Sequence, residues 1–131
     1  MSITKNVGRQ CVVAAKVDFT MGTGTNVSAV AVYPAIDVPE GAVVTGGYIL
    51  VTDATTATVD LNIGDGVLST RYAAGVDGAA TGLTALVPTG YVYPAADTID
   101  VAITIAAAEA AGAAELVVTY VVQDRAEFSQ G

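Results

Sequence analysis

The stretch Thr98-Ile99-Asp100-Val101-Ala102-Ile103-Thr104-Ile105 constrains the fold more than any other part of the chain. Its large apolar residues recur at every second position, which is the period of a half-buried strand. Ile99, Val101, Ile103 and Ile105 are expected to point into a core, and Asp100 to lie on the solvated face. Thr58-Val59-Asp60-Leu61-Asn62-Ile63 repeats the arrangement, with Val59, Leu61 and Ile63 inward and Thr58, Asp60 and Asn62 outward.

Turn signals punctuate the rest at Met21-Gly22-Thr23-Gly24, Pro39-Glu40-Gly41, Gly64-Asp65-Gly66, Asp77-Gly78, Pro88-Thr89-Gly90 and Pro94-Ala95-Ala96-Asp97. Short β-branched runs lie between them, as in a sandwich or barrel. Strands are expected near 11–20, 27–33, 42–52, 56–63, 69–74, 83–87, 98–106 and 113–123. Leu116-Val117-Val118-Thr119-Tyr120-Val121-Val122 is apolar on both faces, so that strand is either central in a covered sheet or packed on another subunit. Ala106-Ala107-Ala108-Glu109-Ala110-Ala111 has helix propensity but is too short to stand alone, and reads as a connection with at most a helical turn. The expectation is an all-β, single-domain antiparallel β-sandwich of about eight strands.

The chain has 131 residues, 53% of them hydrophobic and 14% charged, which suits one folded domain rather than a disordered acidic segment. It has no histidine, no tryptophan and one cysteine. That excludes a histidine-dependent triad, a His/Cys zinc site and an intrachain disulfide. Cys11, within an apolar run, reads as a small core residue. No run approaches the ~20 apolar residues of a spanning helix, and the five after Arg9 are too few for a secretion signal. A soluble protein made in a cytoplasm is expected, with no membrane partner.

The net charge of −8 is unevenly spread. Residues 1–16 hold Lys5, Arg9 and Lys16 and no acid, whereas residues 17–131 hold Arg71 and Arg125 against thirteen acids. An acidic body repels nucleic acid, so no nucleic-acid partner is expected. The basic leader reads either as an arm for an acidic partner surface or as a frayed terminus. The domain division is then a basic arm over 1–16 and a sandwich over 17–131.

No segment carries a recognisable catalytic or cofactor motif, and no catalytic residue, metal or cofactor is expected. Asp60-Leu-Asn62-Ile-Gly64-Asp65-Gly66 opens like a calcium loop, but Gly64 and Arg71 occupy the fifth and twelfth positions, where an EF-hand needs an Asp or Asn and a Glu. A hairpin turn at Gly64-Asp65-Gly66 accounts for it better. Gly22-Thr23-Gly24 lacks the third glycine of a dinucleotide loop. Asp97 and Asp100, three apart on an extended chain, fall on opposite faces if Asp97 is already in the strand, and read as a strand start after Pro94 and a solvated strand face rather than a glycosidase pair. Tyr33, Tyr48, Tyr72, Tyr91, Tyr93 and Tyr120 are six of the eight aromatics, and suit either core packing or interface rims.

Several stretches, taken together, resemble a family of small phage virion proteins. They are Val38-Pro39-Glu40-Gly41-Ala42-Val43-Val44-Thr45-Gly46-Gly47-Tyr48, Thr58 to Gly66, Arg71-Tyr72, Ala96-Asp97-Thr98-Ile99-Asp100-Val101 and Val117-Val118-Thr119-Tyr120-Val121-Val122 before Arg125. The pattern covers roughly 38–125, and no single piece of it is diagnostic.

The resemblance implies a jelly-roll-like capsid decoration (cement) protein on the outer surface of a virion, commonly a homotrimer, seated where major capsid protein subunits meet. On that reading Lys5, Arg9 and Lys16 are the capsid-binding residues, and Val117, Tyr120 and Val121 form the oligomer interface. The alternative is a tail- or vertex-associated β-module that binds a host receptor.

Overall fold

A computed structural model describes residues 12–22, 31–55, 58–105 and 111–122. Eight strands follow in order: β1 (Val13–Gly22), β2 (Ala31–Val38), β3 (Ala42–Asp53), β4 (Val59–Gly64), β5 (Ala73–Asp77), β6 (Gly82–Ala85), β7 (Asp97–Ile105) and β8 (Ala111–Val122). No helix occurs among the described residues. The Ala106–Ala110 connection and Cys11 lie outside them.

The strands form two four-stranded sheets, ordered β1-β8-β3-β6 and β2-β7-β4-β5, with every pairing antiparallel. The first strand pairs with the eighth, the second with the seventh, the third with the sixth and the fourth with the fifth. A ribbon folded back at the β4–β5 loop and then wrapped has this connectivity, which is the jelly roll. The β-sandwich expectation holds, and the strand order, open from sequence, is settled.

Period-two alternation builds the core. Leu116, Val118 and Tyr120 of β8 face Val59, Leu61 and Ile63 of β4 and Ile99, Val101 and Ile103 of β7 across the sandwich, all buried. Each fully buried Leu or Ile side chain contributes about 1.5–3 kcal/mol. Two expected strands are displaced. The expected 27–33 runs instead over Ala31–Val38, because the chain passes Pro34 on an edge strand with a register shift beside it. The expected 69–74 runs over Ala73–Asp77, because Asp65 folds the preceding residues into a loop.

The topology gathers certain connections at one end of the sandwich: the start of β1, the end of β8, the β2–β3 turn, the 65–72 loop and the 86–96 segment. At the β2–β3 turn the Ala42 N–H donates to the Pro39 carbonyl at 3.2 Å, and Gly41 takes φ 85°, a value that favours glycine. This end is called the capped end below.

Candidate interaction surfaces

The capped end is closed by a polar network that the sequence reading missed. The Asp65 carboxylate is buried, with its residue only 2% exposed. It accepts the Val67 and Leu68 N–H groups at 3.0 and 2.9 Å, the Arg71 guanidinium and the Tyr93 hydroxyl. Burial pushes its pKa up, but the hydrogen bonds from Arg71, Leu68, Tyr93 and Val67 outweigh this and hold it below the usual value. The Arg71 guanidinium stacks 3.7 Å over the Tyr91 ring, which meets Tyr93 edge-on.

Tyr93 also ties its own segment to the β2–β3 turn through its backbone. Its carbonyl accepts the Gly41 N–H at 2.8 Å and its N–H donates to the Ala42 carbonyl at 3.1 Å. Burial raises the pKa values of both Tyr72 and Tyr93. Among the described residues no buried side-chain nitrogen or oxygen lacks a hydrogen-bond partner, and this network ties the connections of the capped end together. The expectation of a simple hairpin turn at Gly64-Asp65-Gly66 is therefore corrected: the connection is an eight-residue loop organised on Asp65.

The same network holds a rigid loop whose tip is apolar. Val67 is 79% exposed and Leu68 47%, although the N–H groups of both are fixed by Asp65. Val87, which donates its N–H to the Tyr72 carbonyl, is exposed beside that loop. The sequence signal for this feature was the pair of aliphatics directly after Gly66.

The outer face of the β1-β8-β3-β6 sheet carries apolar rows beside the charged set Lys16, Asp18 and Glu115, whereas the charged residues described on the opposite face are all acids. On the β1-β8-β3-β6 sheet, cross-strand pairing lines up Val121, Val43 and Val92 in one row, Val117, Tyr48 and Ala85 in another, and Leu50 with Leu83 in a third. On the opposite sheet Asp37, Asp60 and Asp77 are exposed, and Asp60 stands directly across from Asp77. Lys16 and Arg71 are the only cations among the described residues. Asp100 corrects the sequence reading: it is buried rather than solvated, it accepts the Thr98 hydroxyl, and burial raises its pKa.

The residues singled out from sequence do not all meet. Lys5 and Arg9 lie outside the described residues. Lys16 sits within β1, ion-paired with Asp18 at 3.6 Å and Glu115 at 3.4 Å, so the sheet already includes residues 13–16. Hydrogen bonding to Glu115 raises the Lys16 pKa. Val117 and Val121 are half-buried on the outer face of β8, which is central in its sheet. Tyr120 has the opposite parity and packs in the core, so it does not share a surface with them.

No known protein family and no curated protein matches this sequence. Solved structures do match in fold. A chain in the capsid asymmetric unit of cyanophage Pam1 has a TM-score of 0.69 at 23% identity, over 93% of this chain and 91% of that one. A chain in the acid-stable capsid of Helicobacter pylori bacteriophage KHP30 gives 0.64 at 19%, over 85% and 87%. A chain in the capsid of Ralstonia phage GP4 gives 0.61 at 18%, over 95% and 92%. At these identities the likeness is one of fold. It extends over nearly the whole of each chain, so the matched chains are domains of about this size.

Proposed function

We propose that this chain is a non-catalytic capsid protein of a phage, a decoration protein that lies on the outside of the shell and bridges joints between major capsid subunits. The observation that carries this reading is the near end-to-end match to chains of the same size in three phage capsids. The exposed Asp37, Asp60 and Asp77 support an added outer layer, because a protein enclosed by neighbours has no use for a solvated acidic face.

On this reading the capped end docks on the shell. Val67 and Leu68 are presented without further ordering cost, because Asp65 has already fixed their backbone. β1 begins at the same end, and Lys5 and Arg9 of the basic leader act on an acidic shell surface. The outer face around Val117 and Val121 then serves self-association into a homotrimer. A modest contact repeated over many joints resists internal pressure through multivalency rather than through individual affinity.

Two measurements test this. The first is copy number in purified particles, by quantitative mass spectrometry against the major capsid protein. A fixed ratio near that of the shell subunits is expected; a handful of copies would move the protein to a tail or vertex, and absence would end the virion reading. The second is rebinding to shells stripped of the protein. Deleting residues 1–11, which spares β1, is expected to weaken binding without altering the melting temperature. Equal binding would remove the arm from the mechanism.

A further inference from the structure

Asp100 is a buried carboxyl on the outer side of its sheet, so something outside the core must cover it. It lies on β7 with the parity opposite to Ile99 and Val101, which turns its side chain away from the core, yet the residue is only 7% exposed. Its partners across the ladder are Pro34 of β2 and Gly64 of β4, neither of which has a polar side chain. The cover comes from the 65–72 loop. A Cβ placed on Gly64 would lie 2.2 Å from the Leu68 carbonyl oxygen and 2.5 Å from that of Ser69, so the loop backbone lies against the sheet there. Residues paired directly across an antiparallel ladder hold their Cβ positions about 4.5–5.5 Å apart on one face. The Asp100 side chain therefore stands beside that backbone.

These surroundings suit a neutral carboxyl and oppose a charged one. The loop turns carbonyl oxygens, the negative ends of its peptide dipoles, toward this side. A protonated carboxyl has a hydrogen to give to such oxygens, whereas a carboxylate has none. The charged groups that face Asp100 are Asp37 of β2 and Asp60 of β4, with Asp97 at the start of β7 and Asp65 in the loop, all of them acids. Of the two cations among the described residues, Arg71 is committed to Asp65, and Lys16 lies on the other sheet, paired with Asp18 and Glu115. The Tyr72 and Tyr93 hydroxyls belong to the chain of bonds that ends on Asp65. Burial pushes the Asp100 pKa up; the hydrogen bond from Thr98 opposes this, and the charges of Asp97 and Asp65 add to it.

We propose that Asp100 is a pH-operated latch beneath the 65–72 loop: as a neutral acid it lets the loop close on β4 and β7, and on ionising it loosens the loop and the Val67–Leu68 tip with it. The closing contribution is present below the ordinary aspartate value near 4 and is lost as pH rises through the folded value of Asp100. Asp65 sets the opposite limit, because its ionised carboxylate holds the Val67 and Leu68 N–H groups and its folded value is lowered. The tip is therefore best ordered in mildly acid solution, above the folded value of Asp65 and below that of Asp100. Its use in docking rests on the role proposed above for that tip, whereas the latch itself is a property of the free chain.

The test is hydrogen exchange at the Val67 and Leu68 amides of the full-length protein, followed by NMR from about pH 4 to pH 8 and corrected for the intrinsic rate at each pH. Protection of both amides is expected to fall about tenfold as pH rises through the Asp100 titration, which the carboxyl carbon shift of Asp100 reports directly. The Leu116 and Val118 amides of β8 are expected to keep their protection over the same range. Asp100→Asn is expected to hold the tip amides protected throughout. Thr98→Val, which removes the donor that favours the ionised form, is expected to move the fall to higher pH. Protection that does not change with pH, a fall that persists in Asp100→Asn, or a fall shared equally by the β8 amides would each overturn the latch. Rebinding to stripped shells at about pH 5 and pH 8 separates the two readings: binding that ignores pH while the tip amides respond would overturn the docking role of the tip, not the latch.

Discussion

The Tyr93 hydroxyl donates to Asp65 Oδ2 at 2.8 Å and lies 2.7 Å from the Tyr72 hydroxyl. A phenol has one proton, so Tyr93 spends it on Asp65 and Tyr72 must be the donor to Tyr93. The order is therefore Tyr72 to Tyr93 to Asp65, and the two tyrosines are not equivalent. Tyr93→Phe leaves the buried carboxylate short of a donor and the Tyr72 hydroxyl without an acceptor, at about 1–3 kcal/mol. Tyr72→Phe removes only the outer bond, at about 0.5–1.5 kcal/mol. Urea unfolding of the two variants is expected to rank Tyr93→Phe as the more damaging, with similar denaturant slopes.

Two buried carboxylates at this end respond to pH in opposite directions. The folded pKa of Asp65 is lowered, so its stabilisation is present above the unfolded value near 4 and disappears as pH falls through the folded value. The folded pKa of Asp100 is raised by burial, so its contribution is favourable below the unfolded value and is lost as pH rises through the folded one. Asp100→Asn keeps an oxygen for the Thr98 hydroxyl and removes the buried charge. It is expected to raise the melting temperature at pH 7 and to give no gain below about pH 4. Asp65→Asn breaks a buried pair with Arg71 and is expected to cost about 3–5 kcal/mol at pH 7. Melting curves from pH 3 to pH 8 check both signs.

How far the sequence could be read follows from which interactions are periodic. Ile99, Val101 and Ile103 were legible as core because alternation alone fixes their face. The face of Asp100 follows from the same rule, but not its burial, which depends on surroundings brought in from other parts of the chain. Asp65 was hidden for a related reason: in sequence it is the centre of a Gly-Asp-Gly turn, and its partner Tyr93 is 28 residues away. The outer face of β8 was visible as a second apolar set, yet grouping Tyr120 with Val117 and Val121 ignored the parity that places it inside.

The glycines flanking Asp65 look alike in sequence but do different work. A Cβ on Gly64 would lie 2.2 Å from the Leu68 carbonyl oxygen and 2.4 Å from the Ser69 carbonyl carbon, both backbone atoms that cannot turn aside. A Cβ on Gly66 would meet nothing within 4 Å. Gly64→Ala is expected to cost more than about 2 kcal/mol, because the loop must shift and the Asp65 bonds with it. Gly66→Ala is expected to fall within about 0.5 kcal/mol of the parent. Equal effects in chemical denaturation would mean that the loop is not held as tightly as its hydrogen bonds imply.

Adjacent residues on β8 separate the proposed self-association from folding. Val121 is half-buried on the outer face, opposite Val43, whereas Tyr120 is 9% exposed and packs within the core. Val121→Glu places a charge on the outer row without emptying any internal volume. It is expected to reduce the mass of the assembly in sedimentation while leaving the melting temperature nearly unchanged. Tyr120→Ala vacates core volume and is expected to cost about 3–5 kcal/mol, by analogy with other large aromatic truncations. An unchanged mass for Val121→Glu would remove this face from the proposed contact between copies.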